Sequence, residues 1–383
     1  MISLINLIIH FGINHATLDI KHYQIIVILK KRWLPVLKLA FINKKYEEGQ
    51  TMKKIKQSAI IGVIASFLLL ATTPVAMSSS NNDDEKTYCK TRYPIILVHG
   101  VCGFDKLAGV VEYWYGIPDK LIDDGATVRS AKLSAQSNND LRAQQLIQQI
   151  EAYRADTGAL KVNIIAHSHG STTSRQAMHM RPDLVASLTT IAGPHKGSPV
   201  ADFANEEIPP TIQGIGYAAG DLLGMIIDLF SGYESLDQDT AGLVEHFTKK
   251  GIREFNEEYP CKGVPESDDT NARGADRETF IRNGSAHTVR YYSWTGRSQL
   301  TNVLDALDYL WPVLHLINKH YGMHEDDGFV GVSGSHLGVV ISDSYEWNHA
   351  DEVNHLLGIR KPFSVDPRNV IREHANRLKN AGL

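Results

Sequence analysis

Cysteine is scarce in this chain: three in 383 residues, Cys89, Cys102 and Cys261. That excludes a disulfide-built scaffold, and the spacing offers no zinc motif. At most one internal bridge can form, and three thiols is the favoured reading. Repeats of solenoid length, heptads and low-complexity tracts are also missing, and aromatics stand at 8%. A body rich in positive charge is absent too. The net charge is −4, yet residues 1–76 carry ten Lys/Arg against three Asp/Glu. Those residues are therefore +7, and residues 77–383 are −11. An acidic body excludes nucleic acid as a partner and leaves only apolar contact with a lipid surface. What remains is a chain that is 43% hydrophobic, enough for one large α/β domain.

The one strongly apolar run near the start, Ala59 to Ala71, follows a basic Met52-Lys53-Lys54-Ile55-Lys56 and leads through small residues to Ala76. It is short for a membrane span and reads as a secretory signal peptide over 52–76, with a polar linker over 77–91. Residues 1–51 lie ahead of it. Met52 is expected to be the true start, with 1–51 as upstream sequence, because codons for Glu48-Gly49 can spell a ribosome-binding site. The competing reading is a membrane-associating extension carrying Ile2 to Ile13 and Ile25 to Leu29.

Beyond the linker, short apolar runs alternate with helical stretches. Strands are expected at Tyr93 to Val98, Thr127 to Ala131, Val162 to Ala166 and Leu188 to Ala192. Helices are expected up to Asp124, from Leu141 to about Asp156 behind an Asn139-Asp140 cap, and from Ser171 to Met180. This interval implies βαβ units and a mostly parallel sheet with helices on both faces. Sites in such sheets form at the carboxyl ends of strands.

Ala166-His167-Ser168-His169-Gly170 stands at such an end. Strand, small-x-Ser-x-Gly, helix is the nucleophile elbow of the α/β-hydrolase fold. The turn is tight enough that residues two before and two after the serine must be small. Gly170 fits, and Ala166 adds one methyl where glycine is commoner. Ser168 is thus the candidate nucleophile at a helix N-terminus, where developing negative charge is favoured. Two backbone N–H groups are needed for an oxyanion hole. His169 and Val101, the latter in the glycine-containing His99 to Gly103 loop after the first strand, are the candidates. The side chains of His167 and His169 should turn away from the serine. Cys102 has no activating partner and reads as a small hydrophobe.

An acid and then a histidine should follow the serine. His315 and His320 sit in a helical stretch. The turn Glu325-Asp326-Asp327-Gly328 offers Asp327, with Asp326 as close rival. His349, in a polar loop after the apolar Leu337 to Ile341, is the candidate base, with His336 and His355 as rivals.

Taken together, these stretches resemble the secreted bacterial triacylglycerol lipases of the Pseudomonas, Burkholderia and Vibrio type. The resemblance spans residues 92–383. It runs through Tyr93 to Gly100, Lys161 to Gly170, Gly193 to Ser198, Tyr291 to Trp294, Asp326 to Gly328, Ser335 to Gly338, Asn348 to Asn354 and His374 to Asn380. It implies Ser168, Asp327 and His349 as the triad and Val101 and His169 as the oxyanion donors. It further implies one structural Ca2+, with carboxylates from Asp305 and Asp351 and carbonyls from His355 and Ile359. Two departures stand out besides Ala166. Glutamine is usual where His355 stands, a change that a carbonyl ligand tolerates. The usual disulfide is missing, because Ser333 stands where one cysteine is expected and Cys261 does not align with its partner.

The resemblance also implies a monomer, a possible lipase-specific foldase as folding partner, and the lipid–water interface as the place of work. Between the nucleophile and the acid, Gly214 to Tyr233 carries a broad apolar face and a narrow polar stripe of Asp221 and Asp228. Alone, that pattern suits an ordinary half-buried helix. Its position and the resemblance make it a lid, over about 214–235, which favours a lipase over an esterase or acyltransferase for shorter or phospholipid esters. A catalytically inactive lipid-binding relative is the reading from another class.

Overall fold

The computed structural model describes residues 85–383, apart from 105, 108–110, 211–212, 215, 218–220, 222–226, 228–235, 304, 306–307 and 309. The expected signal peptide and the residues before it lie outside the described residues, as does most of the expected lid.

Four parallel strands make one side of the sheet. They are β1 (Ile95–Val98), β4 (Val128–Ser130), β5 (Val162–His167) and β6 (Val185–Ile191). Two short strands, β2 (Lys106–Leu107) and β3 (Val111–Glu112), form a separate hairpin. The long β8 (Ser285–Gly296) extends the main sheet. Along its outer edge it pairs first with antiparallel β7 (Arg277–Arg282) and then with parallel β9 (Val339–Tyr345). The spatial order is β4-β1-β5-β6-β8, with β7 and β9 beyond β8. The chain leaves β1 to one side for β4 and crosses back to the other side for β5. That reversal opens a crevice at the carboxyl ends of β1 and β5, where α/β sheets place their sites.

Every residue of β1, β5 and β6 is buried, which explains their continuous apolar runs in place of alternation. Alternate side chains feed two cores. Ile95, Leu97, Ile165 and Ile191 pack with Trp294 and Trp347 against helices α1 (Ile117–Asp123) and α9 (Pro367–Asn380). Ile96, Val98, Ile164 and Leu188 pack against α2 (Asn139–Thr157) and α3 (His169–Met180). Each fully buried Leu or Ile contributes roughly 1.5–3 kcal/mol relative to exposure.

The cap of α2 is Asn138, whose side chain accepts from Leu141 N–H at 3.0 Å, one residue before the expected cap. At its other end Gly158 adopts φ 68°, a left-handed conformation that glycine takes without strain. Between β7 and β8, Asn283 and Gly284 both take positive φ, 50° and 75°, the pairing that a two-residue hairpin turn requires. Residues 85–91 fall within the expected linker but belong to the folded body. Tyr88 and Cys89 pack into the first core, and Asn376 Nδ2 donates to the Tyr88 carbonyl at 2.8 Å. All three cysteines are free, and Cys102 lies beside Gln136 Nε2 at 2.6 Å.

Further α-helices lie between α3 and α9 in the chain. They are α4 (Pro199–Glu206), α5 (Thr240–Phe247), α6 (Lys249–Glu258), α7 (Trp311–His320) and α8 (His355–Gly358). Within the expected lid, Gly214, Gly216, Tyr217, Asp221 and Ile227 are described. Asp221 Oδ1 accepts from Thr240 N–H and Oγ1 at the start of α5, and Ile227 is buried in the first core.

Candidate active site

Ser168 links β5 to α3 with φ 53° and ψ −127°, a backbone conformation that L-residues rarely adopt. Strain of this kind amounts to about 1–3 kcal/mol and persists only where surrounding structure imposes it. Here the sheet does so. Ser168 N–H donates to the Ile191 carbonyl at 2.9 Å, and Ser171 N–H donates to the Ser168 carbonyl at 2.9 Å. A Cβ on Gly170 would stand 2.5 Å from the Val98 carbonyl oxygen and 2.7 Å from that of His99, so only glycine fits. The methyl of Ala166 is accommodated: the residue is fully buried, and its carbonyl accepts from Ser171 Oγ at 3.2 Å.

Three side chains from separate elements meet at this elbow. Ser168 Oγ lies 2.8 Å from His349 Nε2, and His349 Nδ1 lies 2.7 Å from Asp327 Oδ2. The other carboxylate oxygen, Asp327 Oδ1, accepts from Phe329 and Val330 N–H at 2.8 and 2.7 Å. The Asp327 carbonyl also accepts from His349 N–H at 3.0 Å, so acid and base are tied through backbone as well. The rings of Phe329 and Trp311 flank His349 at 5.3 and 6.0 Å.

Asp326, the rival acid, turns the other way. Its Oδ2 lies 2.7 Å from His315 Nδ1 and its Oδ1 accepts from Gly328 N–H. The rival bases are elsewhere. His336 faces Arg273 and Asp343, and His355 packs edge-on against Tyr113 and Phe104.

The His99 to Gly103 loop runs past the serine. A Cβ on Gly100 would lie 2.7 Å from Ser168 Cβ, so glycine is what permits the approach. The neighbours of Ser168 turn away from it. His169 is buried against Phe247, and His167 Nδ1 lies 2.6 Å from the Tyr113 hydroxyl. Burial holds both imidazoles well below their usual pKa, with neighbouring cationic groups adding to the effect. Chemically, this arrangement can move the Ser168 proton to an imidazole whose other nitrogen is pinned by a carboxylate.

A family model described as the alpha/beta hydrolase fold matches residues 93–215. A triacylglycerol lipase of Vibrio cholerae is 43% identical over 334 residues, covering 87% of this chain and 100% of the relative. One of Burkholderia plantarii is 37% identical over 351 residues, covering 83% and 93%. The chain belongs to the bacterial triacylglycerol lipases. It is a carboxylic ester hydrolase of the α/β-hydrolase superfamily. Among solved structures, a metagenomic carboxyl esterase shares the fold, with a TM-score of 0.50 and 13% identity over 81% of this chain and 80% of that one.

Several residues at the lipase site carried no sequence signal. Arg142, fully buried in α2, donates to the His99 carbonyl at 2.7 Å and also holds the Ser134 carbonyl. It thereby grips the loop beside Ser168. Burial lowers its guanidinium to about 9, which leaves it charged at neutral pH. Glu352 is likewise fully buried, its Oε1 held by Gly296 N–H and by Thr295 Oγ1 at 3.2 Å. Burial, reinforced by the nearby Asp327 charge, holds its carboxyl well above the usual range.

Asp305 and Asp351 of the expected ion site are each only 1% exposed. A third carboxylate, Asp308, is fully buried beside them. It accepts from Thr301 N–H at 2.6 Å, from Asn302 N–H, and from Asn348 Nδ2 at 2.6 Å. Asn348 immediately precedes His349, and its Oδ1 accepts from Ala350 and Asp351 N–H at 3.0 Å each. These buried acids and the loop that carries His349 are one hydrogen-bonded unit.

Proposed function

We propose that this lipase hydrolyses long-chain acylglycerols at a lipid–water interface through an acyl-enzyme on Ser168. The observation that carries the reading is the hydrogen-bonded series Ser168–His349–Asp327 at a strained elbow. His349 Nε2 takes the Ser168 proton as Oγ attacks the ester carbonyl. Asp327 fixes the Nδ1–H tautomer and stabilises the imidazolium. Backbone N–H groups of Val101 and His169 stabilise the tetrahedral oxyanion. The protonated imidazole passes its proton to the departing alkoxide, and water then enters by the same route to release the fatty acid.

Apolar exposure beside the site supports an oil surface as the partner. Val313 and Leu316 on α7, with Leu300 and Val303 ahead of it, are 43–64% exposed, while Trp311 of the same helix packs on His349. With the body at −11, contact with lipid rests on such groups and on the expected lid rather than on charge. The reading includes export behind the 52–76 signal peptide, assistance by a foldase, and a monomeric enzyme.

One structural Ca2+ belongs to the same reading. The residues fit it: Asp351 Oδ1 is buried without a hydrogen-bond partner, and Asp305 and Asp308 are buried around it. Buried carboxylates call for a cation, and hard oxygen donors suit calcium. Asp305 and Asp351 would hold the ion with the carbonyls of His355 and Ile359. Its charge would offset the mutual repulsion of the acids and stiffen the loop that carries His349.

The test is a hydrolysis profile across triglyceride chain lengths, in emulsions and as dissolved monomers, with and without calcium. Turnover that rises with chain length and on emulsification is expected. Activity confined to dissolved short esters would make the enzyme an esterase. N-terminal sequencing of the native secreted protein should begin after Ala76; any peptide from residues 1–51 would overturn the reading of Met52 as the start.

A further inference from the structure

Behind the triad lies a second line of buried polar groups that the mechanism above does not use. The Tyr113 hydroxyl accepts from Gly100 N–H at 3.0 Å and sits 2.6 Å from His167 Nδ1. The buried phenol proton has no acceptor but His167 Nδ1 among the described residues, so Nδ1 accepts and Nε2 carries the imidazole proton. That nitrogen faces Glu352 Oε2 at 3.8 Å, and neither atom makes a shorter hydrogen bond among the described residues. Glu352 is itself anchored through Oε1 to β8. The series runs Gly100, Tyr113, His167, Glu352, wholly inside the protein. One end lies in the loop that passes Ser168 and the other three residues beyond His349.

We infer that Tyr113, oriented by His167 and Glu352, is a positioning residue for the oxyanion hole: its hydroxyl fixes the peptide of Gly100 so that the next N–H, that of Val101, faces the nucleophile. The inference rests on the reading of Ser168 as nucleophile. Core packing alone does not account for the group. The ring of Tyr113 already packs on Trp114, His355 and Phe104, as a phenylalanine ring would. A buried hydroxyl adds a desolvation penalty unless its bonds are made, and here they are made to the loop and to the residue preceding the serine. Gly100 has no side chain to fix its own conformation, so an outside partner for its N–H sets the direction of the following peptide.

The test is Tyr113→Phe, assayed on a dissolved p-nitrophenyl ester and with a trifluoromethyl ketone that mimics the tetrahedral intermediate. Loss of a whole oxyanion donor lowers turnover about 10²–10³-fold, so a misaimed one should lower kcat about 10–100-fold. KM should stay within about twofold, and affinity for the ketone should fall in step with kcat. Glu352→Gln places an amide N–H against His167 Nε2–H, which turns the imidazole and releases the phenol. It should reproduce much of the defect, and the double variant should be no worse than the more damaging single one. Unchanged kcat and ketone affinity in Tyr113→Phe would overturn the inference, as would defects that multiply in the double variant. Fluorophosphonate labelling of Ser168 in the unaltered enzyme separates the two readings. Failure to label would sink the catalytic assignment and this inference together. Labelling with an unimpaired Tyr113→Phe would sink this inference alone.

Discussion

Asp326 and Asp327 differ by one position in the chain and should differ by orders of magnitude in consequence. In Asp327→Asn one oxygen remains for three bonds, those now made to Phe329, Val330 and His349. If that oxygen stays with the two N–H groups, the amide NH2 meets His349 Nδ1. The imidazole is then held as the wrong tautomer, with its proton on Nε2 facing Ser168. The same exchange in a serine protease lowers kcat about 10⁴-fold, or about 5 kcal/mol of barrier, and a similar loss is expected here. Asp326→Asn breaks a contact to His315, whose side chain is 26% exposed, and leaves the triad bonds in place. Asp326 touches neither Ser168 nor His349, so turnover should stay within about threefold. The assay is kcat on a dissolved ester under saturating substrate, with melting temperature as the control for folding. Turnover in Asp327→Asn within tenfold of the unaltered enzyme would refute the assignment of the acid. So would equal losses in the two variants.

Ser168→Ala should lower turnover on the order of 10⁴-fold or more, and retained hydrolysis of emulsified triglyceride would overturn the nucleophile assignment. Chelation should lower activity and melting temperature together, because buried acids and the His349 loop share hydrogen bonds; an unchanged melting curve after confirmed metal loss would remove the calcium site. Gly170→Ala should destabilise the protein by about 1–3 kcal/mol or more, since the new Cβ would meet two backbone oxygens within 2.7 Å. A variant that folds with an unaltered melting temperature would contradict the close packing of β1 on α3.

The protein should also lose stability in acid. Burial holds His99 at about 3, and holds His167, His169, His195 and His374 well below the usual 6.5. The unfolded chain then binds more protons as pH falls through 6.5. The contribution of these histidines is complete above about pH 7 and falls below it by up to about 1.4 kcal/mol per histidine per pH unit, against a smaller opposite contribution from the raised carboxyl of Glu352. A melting temperature that stays flat from pH 7 to 4.5 would argue against these neutral imidazoles.

What the sequence revealed and what it hid follow from how local each feature is. The elbow was legible because strand, small residues, serine and helix occupy one stretch, and the strain at Ser168 is a property of that stretch. The acid was legible only to within one residue. Adjacent side chains in the Asp326-Asp327 turn point to opposite sides, and which side holds the base is decided by β9 and the loop after it. Arg142 and Asp308 were not legible at all. Each is a charged residue whose burial comes from elements distant in the chain, and no periodicity marks it. The β7–β8 hairpin is a different case: Asn283-Gly284 is the usual signal for a two-residue turn, and the flanking residues alternate in burial.

The route of the chain through the fold bears on how the protein is assembled. Helix α9, from residues 367–380, supplies Val370, Ile371 and Ala375 to the first core, and His374 meets Thr189 of β6 at 2.7 Å. Lys379 and Asn376 bind the carbonyls of Thr87 and Tyr88, and Arg92 N–H donates to the Leu383 carbonyl. One face of the central sheet is thus closed by a late segment that also holds Tyr88, 288 positions before Asn376. Pairings of such long range slow folding. A chain emerging from its N-terminus holds β1, β5 and β6 with an apolar side open until the last helix arrives. The interval in which this protein is most prone to aggregate therefore falls near the end of its synthesis.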